Sequence, residues 1–108
     1  MPKARKRLQV WIDGERCEGR SGAHVFIAAL ERLGLERIEL LPIRVSGLPI
    51  VVSVRPKRAD LYTEHAGKYV RTCTSGAEKH SLLQRIATHL PEHKIEVRLT
   101  DPAEDLLA

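Results

Sequence analysis

The sequence predicts an α+β domain, a two-layer sandwich with two main helices packed on one face of a mixed, mostly antiparallel sheet. Residues 25–33 and 82–90 repeat apolar side chains at the helical period. Several shorter segments alternate apolar and polar residues or are dense in β-branched ones, as half-buried strands are. The chain has 108 residues, 43% hydrophobic and 30% charged, a size and balance that suit one folded domain. Helices and strands of this kind bury their apolar faces only against each other, which gives two layers.

In chain order, Leu8, Val10 and Ile12 fall on one side of a first strand, with Gln9 and Trp11 on the other. Asp13-Gly14 supplies two residues that tolerate positive φ, so a type I′ turn should return the chain as a hairpin through residues 15–18. Ser21 caps a helix whose buried stripe is Val25, Phe26, Ala29, Leu30 and Leu33, and Gly34 ends it in the left-handed conformation. Leu35, Ile38 and Leu41 repeat at three, which indicates a short second helix before Pro42, with a strand as the alternative.

Residues 43–46 and 50–54 read as strands broken by Gly47-Leu48-Pro49, and residues 55–67, without a period, as an exposed loop. A strand over 68–73 then leads to Ser75 and Glu78, which have capping-box spacing. The helix they open buries Leu82, Leu83, Ile86, Ala87 and Leu90, keeps Glu78, Lys79, Gln84 and Arg85 largely outside, and ends at Pro91. Residues 94–99 alternate as a last strand. If it shares a sheet with strand 68–73, the two are parallel with a right-handed crossover. The expected organisation is a basic arm at 1–7, one domain over 8–99 and an acidic tail at 100–108.

Net charge is +4, with Lys3, Arg5, Lys6 and Arg7 crowded at the start and Asp101, Glu104 and Asp105 at the end. The basic body suits an anionic partner, nucleic acid first. Aromatic residues are 4% of the chain, namely Trp11, Phe26, Tyr62 and Tyr69, too few platforms for a single-strand binder, so duplex DNA is favoured. Cys17 and Cys73 form no Cys-x-x-Cys pair, and no segment has the apolar run of a secretory leader or a membrane span. A reducing cytoplasm and no membrane partner are expected.

Chemistry finds little support in the residues. His24, His65, His80, His89 and His93 make no metal-binding motif, and Pro91 interrupts the one pair at helical spacing. Cys73 precedes a helix start but has no base beside it, and no Walker A loop is present. No enzyme activity, metal or cofactor is expected.

One junction stands out. Arg71, Thr72, Thr74, Ser75, Gly76 and Lys79 gather where a strand enters a helix, and free amides, hydroxyls and cations there make a phosphate seat. Ser75 acting only as a cap, among solvated cations, is the blander alternative. Arg55, Lys57 and Arg58 in the long loop extend the basic set. Trp11, on the face opposite Leu8, is the candidate anchor for a protein partner.

The order of these motifs resembles small accessory modules attached to restriction enzymes and other prokaryotic phage-defence proteins. The resemblance rests on the hairpin before Gly19, the helix with Phe26 ending at Leu33-Gly34, Gly47-Leu48-Pro49-Ile50-Val51, and Gly67-Lys68-Tyr69-Val70-Arg71-Thr72 with Ser75 and Lys79 behind it. It covers most of the chain and implies a non-catalytic module that helps a nuclease or regulator engage DNA or a sister subunit. The chain starts and stops close to the module, which leads to the expectation of a small subunit or excised domain with a larger protein partner.

Overall fold

Alternation at the start of the chain becomes β1 (Arg7–Ile12) in the computed structural model, which describes residues 7–45 and 47–100. The cations Lys3, Arg5 and Lys6, the acids Asp101, Glu104 and Asp105, and Ser46 of the expected third strand lie outside the described residues. β1 turns through Asp13 and Gly14, at φ 52° and 86°, into β2 (Glu15–Cys17), pairing Val10 with Cys17 and Trp11 with Arg16. Positive φ at both turn residues matches the twist of the flanking strands, as expected of Asp-Gly.

The other edge of β1 pairs antiparallel with β8 (Ile95–Thr100), in the order β2-β1-β8. Leu8, Val10 and Ile12 stand opposite Leu99, Val97 and Ile95, so one face of this sheet is apolar. α1 (Gly22–Leu33) and α3 (Gly76–His89) cover it: Val25, Phe26, Ala29, Leu30 and Leu33 from the first, Leu82, Leu83 and Ile86 from the second. Gly19 lets the chain pass close to α1, since a Cβ there would lie 2.7 Å from the Val25 nitrogen. Gly34, at φ 99°, ends α1 and is followed by the short α2 (Leu35–Glu39), a helix rather than the alternative strand.

The second half of the chain departs from a single mixed sheet. β3 (Arg44–Val45) and β4 (Leu48–Pro49) form a small ribbon, while β5 (Val51–Val52), β6 (Tyr62–His65) and β7 (Lys68–Arg71) form a sheet in the order β5-β7-β6. Every pairing is antiparallel. β5 and β6 occupy both edges of β7, which leaves no edge for β8, and β8 fills the free edge of β1 instead. The condition for a parallel pair is therefore not met. The architecture is α+β with three antiparallel sheets around one core, since Ile43, Ile50, Val51 and Val70 join the cluster built by β1, α1 and α3. Lys68 Nζ donates to Glu39 Oε1 and to Ser53 Oγ, both at 2.7 Å, and so ties β7 to α2 and to the residue after β5.

Residues 55–67 are a second correction. They contain a 3₁₀ turn (Ala59–Leu61) and β6, which returns into β7 through Ala66 and Gly67 at φ 51° and 80°. This turn has the φ signs of Asp13-Gly14, but its first residue is alanine, for which the left-handed region costs about 1–2 kcal/mol. Replacing Ala66 with asparagine, which tolerates that conformation, is expected to raise stability by about 0.5–1 kcal/mol. A thermal melt followed by circular dichroism checks this; a lowered Tm contradicts it.

Candidate functional site

The tripeptide Ser-Gly-Ala opens both long helices, at residues 21–23 and 75–77. In α1 the Ser21 hydroxyl accepts the His24 amide at 3.3 Å. In α3 the Ser75 hydroxyl accepts the Glu78 amide at 3.1 Å while the Glu78 carboxylate accepts the Ser75 amide at 3.2 Å, completing the capping box. The Val25 and Lys79 amides reach the Ser21 and Ser75 carbonyls, each at 3.0 Å. The amides of Gly22, Ala23, Gly76 and Ala77 have no acceptor among the described residues, as the first turn of a helix requires unless a ligand supplies one.

Both helix starts open on one cleft of about 650 Å³, lined by residues 21–23 and 75–77 together with Leu8, Thr72, Thr74 and Lys79. The partial positive ends of two helix dipoles therefore converge on the same space. Glu78, the acid of the α3 start, is held by the capping box.

The structure sorts the sequence candidates. Ser75, Thr74 and Lys79 line the cleft. Thr74 Oγ1 is buried without a hydrogen-bond partner, whereas Thr72 Oγ1 shares a 2.6 Å hydrogen bond with Thr63 Oγ1. Lys79 is only 4% exposed, and its Nζ donates to the carbonyls of Thr72, at 3.0 Å, and Thr74. Burial pushes its pKa below the usual lysine value. Lys79 thus corrects the expectation of an outward side chain: it stands three and four residues before Leu82 and Leu83, on the buried stripe of α3, and clamps the strand-to-helix turn.

Arg71 is 6% exposed and is not part of the cleft wall. Its Nη1 donates to the Val45 carbonyl at 3.2 Å and its Nε has no partner, so it anchors the β3–β4 ribbon rather than meeting solvent. Arg55, Lys57 and Arg58 are exposed, with Arg58 paired to Asp60 at 3.3 Å. Trp11 is half-buried on the outward face of the β2-β1-β8 sheet, with the Arg98 guanidinium 5.6 Å from its ring centroid.

Beside the cleft lie Arg7, the last cation of the basic start, and two arginines that the sequence reading passed over, Arg16 and Arg20. Arg7, Arg16 and Arg20, with Glu18, line a groove of about 520 Å³ that shares Leu8 with it. Arg16 and Arg20 flank Gly19 at the exit of the first hairpin, and only the return of β2 alongside β1 brings them to Arg7. Elsewhere, His65 pairs with Glu31, and His93 Nδ1 lies 2.8 Å from Asp13 Oδ2, a bond that holds the Asp13 carboxyl below its usual pKa. Cys17 is buried, Cys73 exposed, and both are free thiols. Among the described residues no three histidine, cysteine or acidic side chains converge as a metal site would need, and no helix is long and apolar enough to cross a membrane.

Comparison with known protein families, with curated proteins and with solved structures gives no match. The cleft has to be interpreted from its own geometry.

Proposed function

We propose that this chain is a non-catalytic, cytoplasmic nucleic-acid-binding module, with duplex DNA as its preferred target, serving as an accessory to a larger prokaryotic defence or regulatory protein. The observation that carries this reading is the convergence of the α1 and α3 starts on one cleft. A backbone phosphate there accepts hydrogen bonds from the amides of Gly22, Ala23, Gly76 and Ala77, as anions do at helix N-termini. The buried Lys79 ammonium adds charge from behind without making the contact itself. Neighbouring phosphates run over the groove of Arg7, Arg16 and Arg20, and Arg55 and Lys57 on the exposed loop supply further charge. These groups recognise phosphates rather than base edges, so binding should be weakly sequence-specific and steeply salt-dependent.

Fluorescence anisotropy of labelled duplex DNA, single-stranded DNA and RNA, at low and moderate salt, tests the proposal. Duplex DNA is expected to bind tightest and to be released as salt rises; no binding to any of the three at low salt would sink it. Gly22 allows a sharper comparison. A Cβ there would meet only Leu8 Cβ, at 4.0 Å, and proline is favoured at the first helical position, where it removes the free amide. Gly22→Pro is therefore expected to weaken duplex binding several-fold relative to Gly22→Ala while leaving the helix intact. Equal affinities for the two variants would remove this amide from the contact.

A protein-interaction subunit is the second reading, favoured by the half-exposed Trp11 between Arg16 and Glu96 on an uncovered sheet face. It becomes the leading one if nucleic acids fail to bind.

A further inference from the structure

Among the described residues, β8 is an edge strand: β1 pairs with one side of it and no strand with the other. The phase of the β1–β8 ladder is fixed by the Asp13 amide, which donates to the Lys94 carbonyl at 2.8 Å. Hydrogen-bonded and non-hydrogen-bonded pairs alternate along an antiparallel ladder. Trp11↔Glu96 and Gln9↔Arg98 are therefore the hydrogen-bonded pairs, and the backbone groups of Ile95, Val97 and Leu99 point away from β1 to the open edge. The strand is 6 residues long, with no proline, glycine or break in register. Ile95, Val97 and Leu99 are only partly buried on its core face, and Glu96 and Arg98 are exposed on the other.

We infer that β8 is the contact through which two copies of this chain pair, antiparallel about a twofold axis at Val97. The open N–H and C=O groups of Ile95, Val97 and Leu99 then meet those of Leu99, Val97 and Ile95 of the second copy, joining the two β2-β1-β8 sheets edge to edge. In this register Val97 faces its own copy, and Glu96 of each chain faces Arg98 of the other. The smallest slips that preserve the inward and outward faces are two residues long. One sets Glu96 against Glu96 and the other Arg98 against Arg98, so the charge pattern selects a single register. Edge strands that avoid pairing usually carry charges or breaks that resist a second strand, whereas the charges of β8 complement themselves. At the far side of the sheet β2 has 3 residues, too few to propagate the sheet, so association closes at two.

Sedimentation equilibrium of the wild type, Glu96→Arg, Arg98→Glu and the double exchange tests this, with circular dichroism confirming that each variant is folded. The wild type is expected to dimerise in the micromolar range. Each single exchange puts like charges opposite each other at two symmetric places and should raise the dimer dissociation constant about tenfold or more. The double exchange restores opposite charges across the axis and should restore the dimer. It also removes the Lys94–Glu96 ion pair and the Arg98–Trp11 contact, so recovery cannot come from within one chain. A wild type that stays monomeric at high micromolar concentration overturns the inference. So does a dimer indifferent to the single exchanges, or one that the double exchange fails to rescue.

Discussion

Replacing Lys79 with alanine is expected to lower folding stability by about 3 kcal/mol, because it leaves the part-buried Thr74 carbonyl without a donor, removes one of the two donors to the Thr72 carbonyl, which keeps the Thr74 amide, and opens a cavity beneath α3. Lys79→Met keeps most of the stem and should recover part of that loss, leaving the cost of the orphaned Thr74 carbonyl, about 1–3 kcal/mol. Urea unfolding followed by circular dichroism measures both. A loss below about 0.5 kcal/mol for the alanine variant would show that the ammonium does not hold the turn.

The same lysine gives a pH signature. Its folded pKa lies below the ordinary lysine value of 10.5 because burial disfavours the charged form. In the window just below 10.5 the unfolded chain therefore binds more protons than the folded one, and stability rises with pH. Tyr62 acts in the opposite sense, since burial raises its pKa, but it is common to both proteins and cancels in a comparison. The stability of wild type relative to Lys79→Met should thus increase as pH approaches the lysine value from below. A flat or falling difference would contradict a desolvated ammonium.

The double variant Arg16→Ala/Arg20→Ala is expected to weaken duplex DNA binding at low salt by about tenfold or more and to flatten the dependence of log K on log salt by about one unit for each phosphate contact removed. Both side chains are exposed and neither lies in the core, so folding should be unaffected. The outcome separates this groove from the loop: if Arg55→Ala/Lys57→Ala produces the whole loss and the hairpin variant none, the backbone does not run beside Leu8.

Which parts of this fold the sequence discloses follows from how local their causes are. Asp13-Gly14 and the Ser75–Glu78 capping box carry their conformations in their own side chains, and both were legible. Ala66-Gly67 makes the same kind of turn as Asp13-Gly14 with a residue that disfavours it, so β6 was hidden within an apparent loop. The separation of β7 from β8 is a matter of competition for edges, which no local pattern encodes. Lys79 is different, because its place on the buried stripe was available from the helical period; its charge obscured it. Arg71 follows Val70 in a central strand covered on both edges, where alternation no longer marks the exposed side. Residue type therefore located the junction but not the burial of Arg71 and Lys79 within it. The free amides at the two helix starts are invisible in composition, and only the first hairpin brings Arg16 and Arg20 to Arg7.

Amide chemical-shift mapping by ¹H–¹⁵N correlation spectra during titration with a short duplex probes phosphate binding at the two helix starts residue by residue. The resonances of Gly22, Ala23, Gly76 and Ala77 are expected to move together and furthest, on one binding curve, with those of Arg16 and Arg20 following and the curve weakening as salt is added. Shifts concentrated elsewhere, with these four amides unmoved at saturation, would contradict it.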